Sequence, residues 1–315
     1  MLPVAAIILG LLAIILLFLP LGRLWSAVVL GIAMLLCTPK FGSISYVLFA
    51  ALAFLFGGID TLPLVVAAII PGVILGLLAF NTQNIFYAFA ISSAGMLFGS
   101  LVELLLEYFI LGRNILAELK DSVLSYLAEL AVLSPAGLTA EQSAQWISQI
   151  ELLHAQILEW MTSGIGSIYI LLAIAEGTIA LLLIQRLCKR VLPLRQPFGF
   201  LAVPRSFGIA IAVMYVLSVL VASQWLPQMS GTVVSVQMLF SCAYILQGVS
   251  VLLFFLQTKR TKKSIQTLII IAILLLLPVT YVALLVLGLT EALMHIRLRI
   301  LKNSTPDNQP PPDNI

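Results

Sequence analysis

Apolar runs about as long as a bilayer is thick recur along this chain, and they constrain its fold more than any other feature. A hydrocarbon core takes roughly 20 apolar residues per helix, with about 17–25 the usual range. Leu2–Leu19 meets that length and ends at Pro20, ahead of Gly22 and Arg23. Leu24–Cys37 and Tyr46–Gly57 are shorter, closed by Thr38-Pro39-Lys40 and by Gly57-Gly58-Ile59-Asp60. Leu62–Phe80 breaks at Asn81-Thr82-Gln83-Asn84, and Ile85–Glu107 is a full span. After a polar interlude come Ile165–Gln185, Phe207–Val221, Val233–Leu256 and Ile265–Leu287. The expected fold is all-α, a polytopic transmembrane bundle of about 8–9 helices, the short second and third runs leaving the count open.

Composition agrees. Apolar residues make up 62% of the 315 and charged ones 9%, against roughly 25% charged in soluble domains. A soluble domain cannot hide that much apolar surface, which excludes a cytosolic enzyme, a nucleic-acid binder and a disordered chain. The net charge of +3 is too small to argue for a polyanionic partner. Cys37, Cys188 and Cys242 lie far apart without a CxxC, so neither a disulfide framework nor a metal site is expected. The start, Met-Leu-Pro-Val-Ala-Ala, lacks a basic n-region, and the first apolar run is expected to be kept as a helix.

Four regions follow: transmembrane helices over 1–107, an amphipathic insertion over 108–164, transmembrane helices over 165–302, and a Pro-rich tail, 303–315, disordered by composition. In the insertion, Leu116, Leu119, Val123, Leu127, Leu130 and Leu133 recur near helical spacing, with Glu118, Asp121, Ser122, Ser125 and Glu129 opposite. Ser134-Pro135-Ala136-Gly137 breaks this helix, and Thr139-x-x-Gln142 reads as a capping box for a second. That helix carries Trp146, Ile150, Leu153, Ile157 and Trp160. The pair reads as an extracytoplasmic hairpin lying on the membrane face, or as one packed on loops or on a second copy.

Orientation follows from Lys and Arg near the helix ends. The insertion holds Glu118, Asp121, Glu129, Glu141, Glu151 and Glu159 against Arg113 and Lys120, and reads as outside. Arg186, Lys189, Arg190, Arg195 and Arg205, and later Lys259, Arg260, Lys262 and Lys263, read as inside. Five preceding helices then put the N-terminus inside. A split at Pro278 into a short hairpin would return Arg297, Arg299 and Lys302 to the inner side as well. The expected location is the bacterial inner membrane, with the lipid bilayer as the main partner.

Ionisable residues inside a span are the functional suspects, since a charge at mid-bilayer costs about 2.5–3.5 kcal/mol on the mildest scale. Glu176 lies near the middle of its run beside Ala173, Gly177 and Ala180. It reads as a proton, cation or substrate site, or as a neutral carboxyl joining two helices. Glu103 and Glu107 continue the stripe of Gly95 and Gly99; Glu107 is expected to be interfacial and solvated, and Glu103 deeper, where it can share a cavity with Glu176. No base is expected at that depth, so neither carboxylate is expected in a buried ion pair. Gln237, Ser241, Tyr244 and Gly248 share a helix face with Gln247 beside it, a face that lines a wet cavity or bonds to neighbouring helices. Ala6/Gly10, Ala68/Gly72/Gly76 and Gly95/Gly99 are small-residue pairs suited to close helix packing. HExxH, GxSxG, Walker A and paired membrane aspartates are all missing, and His154 and His295 are isolated. Catalysis, cofactors and metals are therefore not expected.

Leu194-Arg195-Gln196-Pro197-Phe198, Val203-Pro204-Arg205, Tyr244-Ile245-Leu246-Gln247-Gly248-Val249-Ser250, Leu276-Leu277-Pro278 and Gly288-Leu289-Thr290-Glu291 with Arg297 occur in a recognisable order. With these, the chain resembles the YybS-like family of bacterial membrane proteins (domain of unknown function 2232) over most of its length. The resemblance singles out Gln247, Gly248, Gly288, Glu291 and Arg297, with no role attached. Where that family usually carries a second acid this chain has His295, so the resemblance does not carry over a metal or proton role for the Glu291–His295 pair. The N-terminal part is distantly similar to the substrate-binding components of energy-coupling-factor transporters, which dock through small residues on an early helix, here Ala6 and Gly10. Two functions are therefore expected: a small-molecule-binding or transport-associated component, or an envelope scaffold that uses the 108–164 hairpin. Either one leaves room for other membrane subunits on the small-residue faces or the hairpin. A lipid-acting enzyme would need a nucleophile or metal cluster that the sequence does not offer.

Overall fold

A computed structural model describes residues 2–19, 21–37, 39–81, 84–132, 145–152, 155, 157, 165–188, 198–224, 230–259, 261–297 and 299–300. The protein is an all-α helical bundle; the described residues form helices and connecting turns, and no strand. The helices are α1 (Leu2–Leu17), α2 (Gly22–Leu36), α3 (Pro39–Gly57), α4 (Leu62–Asn81), α5 (Ile85–Ile110), α6 (Ile115–Val132), α7 (Ile165–Leu187), α8 (Arg205–Gln224), α9 (Ser230–Thr258), α10 (Lys263–Leu275) and α11 (Leu277–Met294). Among the described residues, four helical stretches are long and apolar enough to cross a membrane: Lys40–Leu77, Ile85–Ile110, Ile168–Leu187 and Val236–Thr258. Shorter apolar helices cover Pro3–Leu17, Gly22–Leu36, Gly208–Leu220 and Val279–Met294. Outward-facing Ile8, Ile15, Phe54, Leu55, Phe98, Phe109, Val216 and Val282 suit a surface wetted by lipid.

The chain forms two compact units, Met1–Leu194 with Pro227–Ser235, and Arg195–Leu226 with Val236–Ile315. In the first, α2 is central and packs against α1, α3, α4 and α7, while α5 lies between α4 and α7. Small residues permit this. A Cβ on Gly72 would sit 3.0 Å from Leu30 and 3.2 Å from the Ala27 carbonyl, and one on Gly76 would sit 2.6 Å from Met34. Gly10 approaches the Ser45 carbonyl, and Ser45 Oγ donates to Ala6 O at 2.7 Å, which joins α1 to α3. Gly95 rests on Ile74, and Gly99 on the Ala67 carbonyl and Pro71. Ala68 is fully buried in the apolar cluster of Val29, Leu30, Phe49 and Val65.

Several boundaries differ from the apolar runs. α3 begins at Pro39, not Tyr46: Pro suits a first helical position, where its missing N–H has no partner to lose, and Gly42 and Ser45 pack against α2 and α1. The 38-residue stretch Lys40–Leu77 would be roughly 57 Å long if straight, about twice a hydrocarbon core; it breaks at Gly57–Thr61, where Gly58 has φ +62°. The last run is two helices that meet at Leu276 (φ −96°, ψ 18°). Pro278 supplies no N–H there, and Thr280 Oγ1 donates to Leu276 O at 3.0 Å. α10 and α11 touch at this junction, not along their lengths.

α6 forms the first arm of the insertion, and residues 145–150 are helical in the second. The Ser134–Gly137 turn, the Thr139-x-x-Gln142 box, Leu153, Trp160 and the 303–315 tail lie outside the described residues.

Candidate functional site

The first unit brings three helices to one charged cluster. Leu21 takes left-handed dihedrals (φ 59°, ψ 29°) and turns the chain sharply from α1 into α2. A Cβ on Gly22 would lie 2.0 Å from the Leu17 carbonyl, so this turn requires glycine there. Arg23 follows at once. Its Nη1 donates to Glu103 Oε2 at 2.6 Å, and its Nη2 to Glu176 Oε1 and Oε2 at 2.7 and 2.6 Å. Glu103 comes from α5, about 10 Å from that helix's end at Ile110. Glu176 comes from α7, and its neighbour Gly177 sets the height. A Cβ on Gly177 would lie 2.7 Å from the Ser93 backbone, and Ser92 Oγ donates to Gly177 O at 2.9 Å.

The expectation that neither carboxylate would find a base is therefore corrected: Arg23 is the partner of both. The guanidinium sits on a flexible stem, and a long basic side chain reaches well away from its own Cα. A basic residue in the first turn of a helix also opposes the helix dipole. That was the available sequence signal that Arg23 needs acidic company. One positive group faces two negative ones, a formal charge of −1, with side-chain exposures of 17% for Arg23 and Glu103 and 13% for Glu176.

Glu107 is also corrected. It is 8% exposed instead of solvated, and its Oε2 is buried without a hydrogen-bond partner, as is Arg23 Nε. Glu107 lies one helical turn beyond Glu103 on the same stripe of α5. The Tyr169 phenol of α7 is within electrostatic reach of Glu103 and Arg23. An exposed Arg113–Asp60 pair at 3.9 Å brings the end of α5 to the α3–α4 corner, on the face where Arg23 enters. At that exposure the pair adds little stability.

The second unit gathers the residues singled out by resemblance. A Cβ on Gly288 would lie 1.9 Å from the Tyr244 carbonyl, and one on Gly248 2.1 Å from the Leu284 carbonyl, so α9 and α11 touch backbone to backbone. Tyr244 Oη donates to Gly208 O at 2.8 Å. Beyond α11, His295 adopts φ 49° and turns the chain, and Arg297 folds back. Arg297 Nε donates to Glu291 Oε1 at 2.8 Å, Nη1 to Gly199 O at 2.6 Å and Ser250 Oγ at 3.0 Å, and Nη2 to Leu201 O at 2.9 Å. Ser250 Oγ in turn reaches Phe198 O and Leu201 O. Glu291 thus pairs with Arg297, and both are almost wholly buried.

The polar face of α9 divides. Ser241 and Tyr244 border a cavity of about 270 Å³ with Ala212, Tyr215, Val216, Leu285 and Leu289, an apolar space and not a polar one. Gln247 is buried away from it with Oε1 unpartnered, and Gln237 is half-buried on α9. Among the described residues, no three Asp, Glu, His or Cys side chains gather as metal ligands.

Sequence reasoning missed Arg23, the burial of Glu107, and the carbonyls of Gly199 and Leu201 that receive Arg297. Nothing in the local pattern marks a backbone carbonyl as an arginine acceptor.

A family profile described as "Predicted membrane protein (DUF2232)" matches residues 4–291. No curated protein and no solved structure matches the chain.

Proposed function

The chain belongs to this DUF2232 family of membrane proteins, and from that premise we propose that it is a small-molecule-binding or transport-associated component of the bacterial inner membrane. The ligand site is the Arg23–Glu103–Glu176 cluster. One observation carries the reading: the Arg23 guanidinium is shared by carboxylates from two other helices, and all three side chains keep some open surface. A pin between helices needs one carboxylate per guanidinium; a second charge held in a bundle is costly unless it does something else. The scarcity of Lys and Arg along the 108–164 insertion, only Arg113 and Lys120, supports placing it outside and the N-terminus inside. The reading assigns binding to this site, and no reaction.

Its test is access and charge. With the native cysteines replaced, a Tyr169→Cys variant in membrane vesicles should react several-fold faster with a cationic thiol reagent than with an anionic one. Glu176→Gln should narrow that ratio. If neither reagent labels position 169, the cluster is a closed helix pin and the reading fails.

A second reading, an envelope scaffold, draws on α6. This helix touches the rest of its unit near the end of α5, and leaves Leu119 and Tyr126 exposed beside Glu118 and Asp121. Photocrosslinks from Tyr126 to another membrane protein, together with an unlabelled position 169, would favour it.

A further inference from the structure

We propose that the cavity of the second unit is the tail pocket of a lipid site, which takes one chain of an anionic phospholipid from the leaflet at the unit's basic end. The cavity lies between α8, α9 and α11, with Ala212, Ser241, Leu285 and Leu289 among its walls. Its volume of about 270 Å³ has room for roughly nine groups of a water's bulk, about 30 Å³ each, a stretch of acyl chain. Its open wall is Tyr215 and Val216, 39% and 57% exposed. Ile209, Val213 and Val216 are exposed at helical spacing on α8, so an apolar stripe leads from the start of that helix to the opening. Water finds no partners between apolar walls, and a surface of this kind within a bilayer faces hydrocarbon. No charged side chain lines the space, so the headgroup has to be recognised elsewhere.

That place is one end of the same unit. Gly199, just ahead of α8, would set a Cβ 3.1 Å from Phe254 N and from Gln257 Oε1 in the last turns of α9, and its carbonyl accepts from Arg297 beyond α11. The approach to α8, the end of α9 and the exit of α11 therefore meet. Lys259 and Lys262 follow α9, Arg299 follows Arg297, and all three are exposed. Along residues 195–302 the only acid is Glu291, and Arg297 takes it, so these bases have no acid of their own in the segment. Depth agrees. Ala212 and Val216 lie roughly 10–17 Å along α8 from Arg205, and Leu289 and Leu285 roughly 8–14 Å back from the end of α11 at Met294. Half a hydrocarbon core is about 15 Å. A phosphate at the basic end thus brings the middle of its chain to the cavity. Exposed bases at the inner interface attract anionic headgroups, and by its Lys and Arg this end is the inner one.

The test uses the full chain in mixed micelles with equal amounts of phosphatidylglycerol and phosphatidylcholine of the same chains, read by native mass spectrometry. The first lipid retained should be phosphatidylglycerol over phosphatidylcholine by roughly tenfold. Ala212→Phe and Ser241→Leu, which fill the cavity from α8 and from α9, should each cut that retention several-fold. Val279→Phe, at an 80% exposed position of α11 outside the cavity, should keep it. Changing Lys259, Lys262 and Arg299 together to Gln should leave a lipid bound and bring the two headgroups to parity. A second measurement avoids the filled variants: Val216→Trp in a chain whose native tryptophans are changed to Phe. Phosphatidylglycerol brominated in mid-chain should quench this tryptophan at a lower mole fraction than phosphatidylcholine brominated at the same carbons. The proposal is overturned by a parent that retains no lipid or both headgroups equally, by filled variants that retain as much as the parent, or by a triple Gln variant that keeps the preference. Equal quenching by the two brominated lipids overturns it whether or not the filled variants fold.

Discussion

Arg297 shows how a residue can be expensive and still structural. Its guanidinium donates to Glu291, Ser250 and the carbonyls of Gly199 and Leu201. With its donors spread over a carboxylate, a hydroxyl and two carbonyls, the charge is compensated, and no open surface remains for a ligand. Removing one partner of such a pair leaves the other charged and buried, at a cost of about 3–5 kcal/mol. Arg297→Met should therefore destabilise the protein by that order in detergent, read as a drop in Tm. The double change Arg297→Met with Glu291→Leu should recover much of the loss, because no lone charge is left. If the two losses simply add, the residues do not act as a pair. Arg23 differs on each count: its two carboxylates exceed its charge, its Nε is unpartnered, and the cluster stays partly open. That contrast separates the candidate site from the lock.

Among the helices, small residues decide which neighbours approach and how closely. Gly248 and Gly288 face each other's helices at distances a methyl group cannot occupy, 2.1 and 1.9 Å from a backbone carbonyl. Either one changed to Ala should force α9 and α11 apart and weaken the unit that holds Arg297. Gly58→Ala is the control, because its Cβ meets nothing within 4 Å; its φ of +62° should cost about 1–2 kcal/mol through backbone strain alone. Unfolding midpoints of Gly288→Ala and Gly58→Ala in the same detergent check this: the Gly288 variant should lose more, and should also lose the burial of a reporter cysteine at Ser250. Gly177 does for the charged cluster what Gly288 does for the lock, since its contact with the Ser93 backbone sets the height at which Glu176 meets Arg23.

For the molecule as a whole, the placement of charge predicts sidedness. Tags or reporter fusions at the N-terminus and after Lys259 should read as cytoplasmic, and one within 108–164 as external. The structure adds a constraint inside the first unit: the α1–α2 turn, the α3–α4 corner and the end of α5 share one face, the face of Arg23 and of the Asp60–Arg113 pair. If the 108–164 insertion is external, position 169 should be labelled by an impermeant reagent added from outside. Labelling only from the cytoplasmic side would reverse the assigned orientation.

How much of this could be read in advance depended on whether the cause was local. Helix formation is local. Runs such as Ile85–Glu107 announce spans, because lipid leaves a backbone no partner outside its own helix, and Gly95/Gly99 or Gly72/Gly76 announce close packing. Glu103 and Glu176 were visible as charges out of place. Arg23 was not, because it lies 80 residues from Glu103 and 153 from Glu176 along the chain. Its role exists only once α2, α5 and α7 are neighbours. Glu107 looked interfacial by its distance from a helix end and is buried by the elements around it; Arg297 stood out only by resemblance, with no role attached, and is held by carbonyls 96 and 98 residues away. Hydrophobic length and charge placement are properties of a segment and survive in any arrangement of segments. Whether a charge meets its opposite within 3 Å belongs to the packing, since such contacts vanish with a shift of a single turn.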